Sequence, residues 1–445
     1  MRNLAERFAT FNANEIAWYG ANDFFIDATK LSKVFGQISP EAWKGKRVAI
    51  SDMSVIELVA SMVFLDGIAE TILLLPSEDN SEIHTERLVQ AKIDIVLNED
   101  GIGFLKILHG KSPDIAVSPR QWPSSDYLDD PISTTWLLPT SGTTGIPKLI
   151  PHTFQSLTRS MVSRNVSAKF VWGSLYSLRR FAGLQVFLQS WLCGTPLILN
   201  DDSDSLDTKL TRFAELGCNA LSATPSMWRK LAMHPMFDQL KLTQITLGGE
   251  IVDQTVLDLL SRKFPSSRIT HIYASTEAGV GFVVRDNKAG FPLTFLNSSI
   301  SGVELRVDEL GHLWLRSQRD NQAAWIDSGD MVDVRKERVY FLGRANGSIN
   351  VGGNKVMPEE VELVIQELSE VAFVQVRARK SAMLGSLVEA AITPSPGISF
   401  DASIKKKIID HCRERLEGFK VPAFVVVADS IALSASGKLL RGNLE

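Results

Sequence analysis

Trp136-Leu137-Leu138-Pro139-Thr140-Ser141-Gly142-Thr143-Thr144-Gly145-Ile146-Pro147-Lys148 joins an apolar run to a polar loop. The apolar half has strand character. The polar half places four hydroxyls and two glycines in the six residues from Thr140 to Gly145, leaving few side chains able to enter a core. A loop of this kind offers backbone N–H groups and hydroxyls to a polyanion, and glycine permits close approach. Lys148 adds a positive charge. The spacing is not that of a Walker A loop, because Ile146 and Pro147 separate Gly145 from the lysine and Leu149 follows it. The same composition also suits a plain polar surface loop, and chemistry alone leaves both readings open.

Working outward from this loop, short β-rich runs alternate with helical patterns. Upstream, the sequence predicts strands at Arg47–Ser51, Thr71–Leu75 and Ile93–Leu97, with helices over Val55–Leu65 and Glu82–Ala91. Downstream of Thr134–Leu138 it predicts a helix near Phe154–Arg164 and strands at Pro196–Leu199, Ala220–Ala223, Ile245–Leu247 and Ile269–Tyr273. Strands separated by helices imply βαβ units and largely parallel sheets, hence an α/β fold. After Val303 the texture becomes shorter and more polar, predicting a β-rich subdomain from Val303–Val307, His312–Leu315 and Arg338–Leu342. A Gly- and Asn-rich stretch, Ala345–Gly353, precedes a helix from Pro358 to Leu368. Strands at Val371–Ala378 and Val388–Thr393, a helix over Ser403–Leu416 and a strand marked by Pro422 complete a small α+β unit. The expected division is a domain at 1–344 and a smaller, mobile one at 345–445.

At 445 residues, two or three domains are the natural expectation. A composition of 44% hydrophobic and 22% charged residues is ordinary for a soluble protein. The net charge of −4 carries no tail of one sign, which argues against nucleic acid or an anionic membrane as main partner. Three scattered cysteines, Cys193, Cys218 and Cys412, fit neither a zinc cluster nor a disulfide framework. Residues 1–20 have no signal-peptide core, and Val55–Pro76 is interrupted by Glu57, Asp66 and Glu70. The expected location is cytoplasmic; the oligomeric state stays open.

The segment Thr140–Lys148 resembles the TSGTTGxPK signature of the adenylate-forming superfamily, which comprises acyl- and aryl-CoA synthetases, adenylation domains of peptide synthetases and luciferases. Further boxes follow in that family's order. Gly248-Gly249-Glu250 precedes Tyr273-Ala274-Ser275-Thr276-Glu277, which resembles YGxTE. Ser328-Gly329-Asp330 resembles the (T/S)GD box. Gly343-Arg344, Ile349–Gly353 and Pro358–Glu362 resemble GRxDDxIKxxGxxVxPxEIE. Phe419–Pro422 resembles YKxP, and Ser434–Arg441 resembles TxSGKIxR.

Such enzymes activate a carboxylate, whose oxygen is a poor leaving group, by letting it attack the α-phosphate of ATP. An anion attacking a polyanion needs fixed cations and donors around the reacting centre. The resemblance implies that Thr140, Ser141, Gly142, Thr143, Thr144, Gly145 and Lys148 hold the outer phosphates. It places Tyr273 against adenine, with Gly248, Gly249 and Glu250 lining the adenine and acyl pocket. Thr276 would donate to the α-phosphate, Glu277 would hold Mg²⁺, and Asp330 and Arg344 would bind the ribose. Lys438 would reach the carboxylate and α-phosphate as the adenylate forms, a role suited to a compact charge on a flexible stem. Rotation about a hinge at Asn346 would then withdraw Lys438, and Gly352 and Gly353 would line a channel for a pantetheine thiol. Here the sequence departs from the family, which usually has Asp or Lys at the hinge and a lysine where Asn350 stands.

After Lys148, the form Leu149-Ile150-Pro151-His152-Thr153 resembles the aryl-acid AMP ligases more than PKGV-type synthetases. Where aryl ligases hold a ring hydroxyl with Asn, a rough alignment places Tyr176. The run Arg179-Arg180-Phe181-Ala182-Gly183 falls where the family lines its acid pocket. Either arginine could face solvent, or could recognise a second anionic or phenolic group on the acid. The expected chemistry is carboxylate plus ATP giving an acyl- or aryl-AMP and pyrophosphate, then transfer to CoA or to a carrier-protein phosphopantetheine. An aryl or compact acid is favoured. A fatty acyl-CoA ligase and a catalytically silent nucleotide-binding protein are the alternatives.

Overall fold

The computed structural model describes residues 2–11, 16–20, 25–109, 122–123, 131–140, 148–161, 170–276, 279–300, 302–317, 324–381, 384–428, 433–434 and 437–439. Its contacts divide the chain into two compact units. One comprises Met1–Ser222, Asp238–Gln244 and Ser275–Val280; the other comprises Ala223–Phe237, Ile245–Ala274 and Gly281–Glu445.

The first unit contains the sheet that carries the polar loop. Its strands run in the order Ile95–Leu97, Arg47–Ile50, Thr71–Leu74, Thr135–Pro139 and Leu149–His152. The first four are parallel and the last is antiparallel. All four residues of Thr71–Leu74 are buried, as befits a central parallel strand. The helix Val55–Leu65 begins at Ser54, whose hydroxyl accepts from the Glu57 N–H, and ten of its eleven residues are buried. Leu138 pairs with Ile150 and Pro139 with Leu149, and the Thr140 N–H donates to the Lys148 carbonyl at 2.9 Å. The two ends of the polar loop are therefore fixed by a strand pair.

A second sheet of this unit orders Ala220–Ala223, Trp172–Gly173, Leu197–Ile198, Ile16–Tyr19 and Phe25–Asp27. The core beside it is aromatic. Trp18 stacks on Trp191 with centroids 5.8 Å apart, and Phe35 meets Phe104 at 5.5 Å.

The second unit holds two complete sheets and a further run of strands. Gly279–Val284, Arg268–Ser275 and Gln244–Gly248 lie side by side in that order. An antiparallel sheet follows, ordered Phe291–Pro292, Arg338–Arg344, Ile326–Arg335, His312–Ser317 and Val303–Val307. The last sheet orders Asn354–Val356, Ile349–Val351, Gly385–Pro394 and Val371–Ser381, with Phe424–Val427 parallel beside Gly385–Pro394. The helices Pro358–Ile365 and Ala402–Arg415 supply the rest of that core, through Val361, Ile365, Ile408 and Cys412. The architecture is thus the expected α/β one with a β-rich portion and an α+β C-terminal part. Among the described residues, no helix is long and apolar enough to cross a membrane.

Candidate functional site

The strand Arg268–Ser275 delivers Tyr273, and the long strand Ile326–Arg335 delivers Asp330 opposite Arg344 in register. The Tyr273 hydroxyl donates to Asp330 Oδ2 at 2.5 Å, and Arg344 Nε donates to Oδ1 at 3.2 Å. Burial raises the Asp330 carboxyl above its ordinary value; Tyr273, Arg344 and the nearby Lys438 charge pull it back. Burial and the same carboxylate push the Tyr273 phenol far up, so it stays protonated and can donate to Asp330. The Tyr273 ring is held in parallel contact with Phe282 and with Phe341, each 5.1 Å away at 15° and 16°.

A second cluster of the same unit gathers around Gly249. This residue has φ +83°, and a Cβ there would lie 3.3 Å from Lys438 Cε and 3.5 Å from Thr224 Cγ2. A Cβ on the neighbouring Gly248 would meet the Ile272 carbonyl at 3.3 Å. The Glu250 carboxylate accepts the Leu439 N–H at 2.7 Å and the Ser226 N–H at 3.0 Å. Thr224 caps the helix Pro225–Ala232 by accepting from the Met227 N–H at 3.0 Å, and its hydroxyl donates to the Gly437 carbonyl. The 434–438 turn is closed by Ser434 N–H to Lys438 carbonyl and Gly437 N–H to Ser434 carbonyl, both 2.8 Å, with Gly437 at φ +71°.

In the first unit Thr276 follows its strand, and its carbonyl lies 2.8 Å from His152 Nε2. A carbonyl can only accept, so this nitrogen carries the proton. Lys148 is exposed, at the start of Leu149–His152. Arg179 is 5% exposed, and its guanidinium donates to the Ser51 and Met53 carbonyls at 3.0 Å each and meets Asp202 at 3.4 Å. Arg180 forms an ion pair with Glu78 at 2.5 Å. Both guanidinium charges therefore have acidic partners. Gly183 packs so tightly that a Cβ would lie 2.1 Å from the Ser177 carbonyl.

Elsewhere in the second unit, Gly352 and Gly353 have φ +59° and +91°, and the Gly353 N–H donates to Asn350 Oδ1 at 2.9 Å. Asn346 lies in the short turn Ala345–Gly347. Ser141, Gly142, Thr143, Thr144, Gly145 and Glu277 lie outside the described residues. Among the described residues, no three His, Cys, Asp or Glu side chains are grouped to hold a metal ion. Burial pushes the thiol of Cys218 up to about 12 and that of Cys412 to about 11, leaving both protonated at neutral pH.

Of the anticipated residues, the second unit gathers Tyr273, Asp330 and Arg344, and Gly249, Glu250 and Lys438. Thr224, Phe282 and Phe341 were not anticipated, nor was the side-chain role of Glu250. Thr224-Pro225 carries a local helix-start signal, a capping hydroxyl before a proline. Its contact with Gly437, 213 residues away, has no local sign.

The family described as AMP-binding enzyme matches residues 58–319, and its C-terminal domain matches residues 360–438. A 2-succinylbenzoate–CoA ligase of Listeria innocua is 24% identical, the match covering 74% of this chain and 75% of that protein. The ligase of the same name from Lactococcus lactis is 23% identical over 96% of this chain and 98% of its own. Among solved structures, an anthranilate CoA ligase in complex with anthranoyl-AMP superposes with a TM-score of 0.77 at 17% identity. That match covers 98% of this chain and 95% of the other.

Proposed function

The chain belongs to the AMP-binding enzyme family, and we propose that it is an AMP-forming acid–thiol ligase that converts an aryl or similarly compact carboxylic acid and ATP into an acyl-AMP and pyrophosphate, then passes the acyl group to CoA. The observation that carries this reading is the pairing of an acceptor carboxylate with an aromatic ring at Tyr273 and Asp330, beside the charge of Lys438. That donor set suits a nucleotide: Asp330 offers two oxygens to ribose hydroxyls, Tyr273 a flat face to a base, and Lys438 a cation to phosphate. Bound Mg²⁺ with ATP would neutralise the outer phosphates, and Glu277 is its proposed protein carboxylate. Thr140–Lys148 is the proposed phosphate loop, with Thr276 as donor to the α-phosphate and Gly352–Gly353 as the wall of the thiol channel. That both relatives are 2-succinylbenzoate–CoA ligases supports the acid class and favours CoA over a carrier protein as acceptor. The proposed location is cytoplasmic.

The test uses both half-reactions. With 2-succinylbenzoate and a series of benzoates, the chain should catalyse acid-dependent exchange of pyrophosphate into ATP. Lys438→Ala should lower that exchange about 10²–10³-fold, the usual cost of removing one group that stabilises developing charge. CoA thioester formation from pre-made acyl-AMP should fall far less. Absence of acid-dependent exchange would overturn the activity, and equal loss in both half-reactions would remove Lys438 from the adenylation step.

A further inference from the structure

Glu250 has one carboxylate and two commitments. Oε2 accepts from Ser226, in the first turn of the helix Pro225–Ala232, where N–H groups have no intrahelical partner. Oε1 accepts from Leu439, the residue after Lys438. Thr224 repeats the pattern, capping the same helix through Met227 while its hydroxyl reaches the Gly437 carbonyl. Gly249 lies flush against the Lys438 stem, with room for no Cβ that would not press on it. Three consecutive residues of the turn, 437, 438 and 439, are thus each met by a residue of Thr224 or Gly249–Glu250.

We propose that Glu250 is a positioning residue that latches the 437–439 turn, and so aims Lys438, for adenylate formation alone. The inference rests on the functional reading above, in which Lys438 serves the first half-reaction and withdraws for the second. A latch must hold firmly and release cheaply. The Leu439 contact is a hydrogen bond to a charged acceptor, the stronger kind. On release, Glu250 keeps the Ser226 N–H and the positive end of that helix, so its charge is not abandoned. The carboxylate therefore has a partner in both states, and only the turn changes hands.

Glu250→Ala should lower the turnover of pyrophosphate exchange with 2-succinylbenzoate about 10- to 100-fold, the range for a hydrogen bond to a charged group. The KM for ATP should move much less. Glu250→Gln, which keeps one acceptor oxygen, should fall between. Thioester formation from pre-made 2-succinylbenzoyl-AMP should fall far less than pyrophosphate exchange in both variants. Hydrogen–deuterium exchange at the Leu439 amide should accelerate in Glu250→Ala without added substrate. Equal loss in the two half-reactions, or an unaltered Leu439 exchange rate, would overturn the latch. If the unsubstituted chain exchanges no pyrophosphate with any of these acids, the functional reading fails, and amide exchange alone decides the latch.

Discussion

Both oxygens of Asp330 are engaged, one by a phenol and one by a guanidinium, inside a site that burial makes costly for charge. Such a carboxylate is held ready: its partners offset part of the cost of burial, and ribose hydroxyls can join or replace them as donors. Asp330→Asn replaces one acceptor oxygen by a donor facing another donor, Tyr273 or Arg344. The KM for ATP should rise at least about 10-fold, since a hydrogen bond to a charged group contributes about 1.5–3 kcal/mol. Tyr273→Phe keeps the ring stacked with Phe282 and Phe341 and removes only the hydroxyl, so its effect on KM should be smaller. Pyrophosphate-exchange kinetics at varied ATP measure both. An unchanged KM in Asp330→Asn would take the carboxylate out of nucleotide binding. His152 acts at the same scale on the backbone, donating to the Thr276 carbonyl and so fixing a residue of the YASTE box from a different strand.

At the scale of elements, the five-residue helix Leu4–Phe8 is far too short to persist on its own nucleation energetics. Asn3 caps it by accepting from the Glu6 N–H, the Trp191 indole donates to the Leu4 carbonyl, and the Leu4 N–H donates to the buried Asp66 carboxyl at 2.8 Å. Trp136 donates to the other Asp66 oxygen at 3.0 Å. Burial outweighs these donors and pushes Asp66 up to about 7; Glu57, likewise buried, also rises to about 7. For both, the folded state holds its proton at a pH where the unfolded chain has lost it. Their contribution is full below about pH 4 and is lost as pH climbs through about 7. Asp66→Asn removes one of the two titrations. The fall in thermal midpoint between pH 5.5 and 7.5 should therefore be smaller in this variant, as read by thermal unfolding; an identical fall would show that Asp66 does not titrate there. Elements of this kind differ in how far the sequence discloses them. Val55–Leu65 matches its expected span because Ser54 and Glu57 mark its start. Phe181–Cys193 escaped the reading because it is apolar nearly all round, which erases the helical period. The helix expected near Phe154–Arg164 is assigned over Phe154–Thr158, and residues 162–169 lie outside the described set.

Across the whole molecule, the boxes that carry the family resemblance were legible because each is a short run of unusual composition in fixed order. What joins them was not: Glu250 meets Leu439 across 189 residues, and no local pattern records such a contact. The acid's identity sits between these cases. For Arg179 and Arg180 the sequence left solvent exposure and recognition of the acid both open, and Asp202 and Glu78 already compensate their charges. Neither arginine is thus left as an unpaired cation that would penalise an alkyl chain beside it. Packing supplies a different reason for a compact acid. Tyr176, Leu178 and Arg179 are 8%, 2% and 5% exposed, and Gly183 touches the Ser177 carbonyl too closely to admit even a methyl group. Threading a long alkyl chain through this segment would displace side chains that are already close-packed, at about 1–3 kcal/mol for each overpacked position. One displacement of middling size already amounts to roughly tenfold in rate. In pyrophosphate exchange, benzoates, hydroxybenzoates and 2-succinylbenzoate should thus exceed hexadecanoate at least about tenfold, with straight-chain acids declining as they lengthen. Gly183→Ala should depress exchange with every acid, because the added methyl would push Ser177 and its neighbours rather than reshape one subsite. A preference for hexadecanoate over every aromatic acid would refute the compact-acid reading while leaving adenylate formation itself intact.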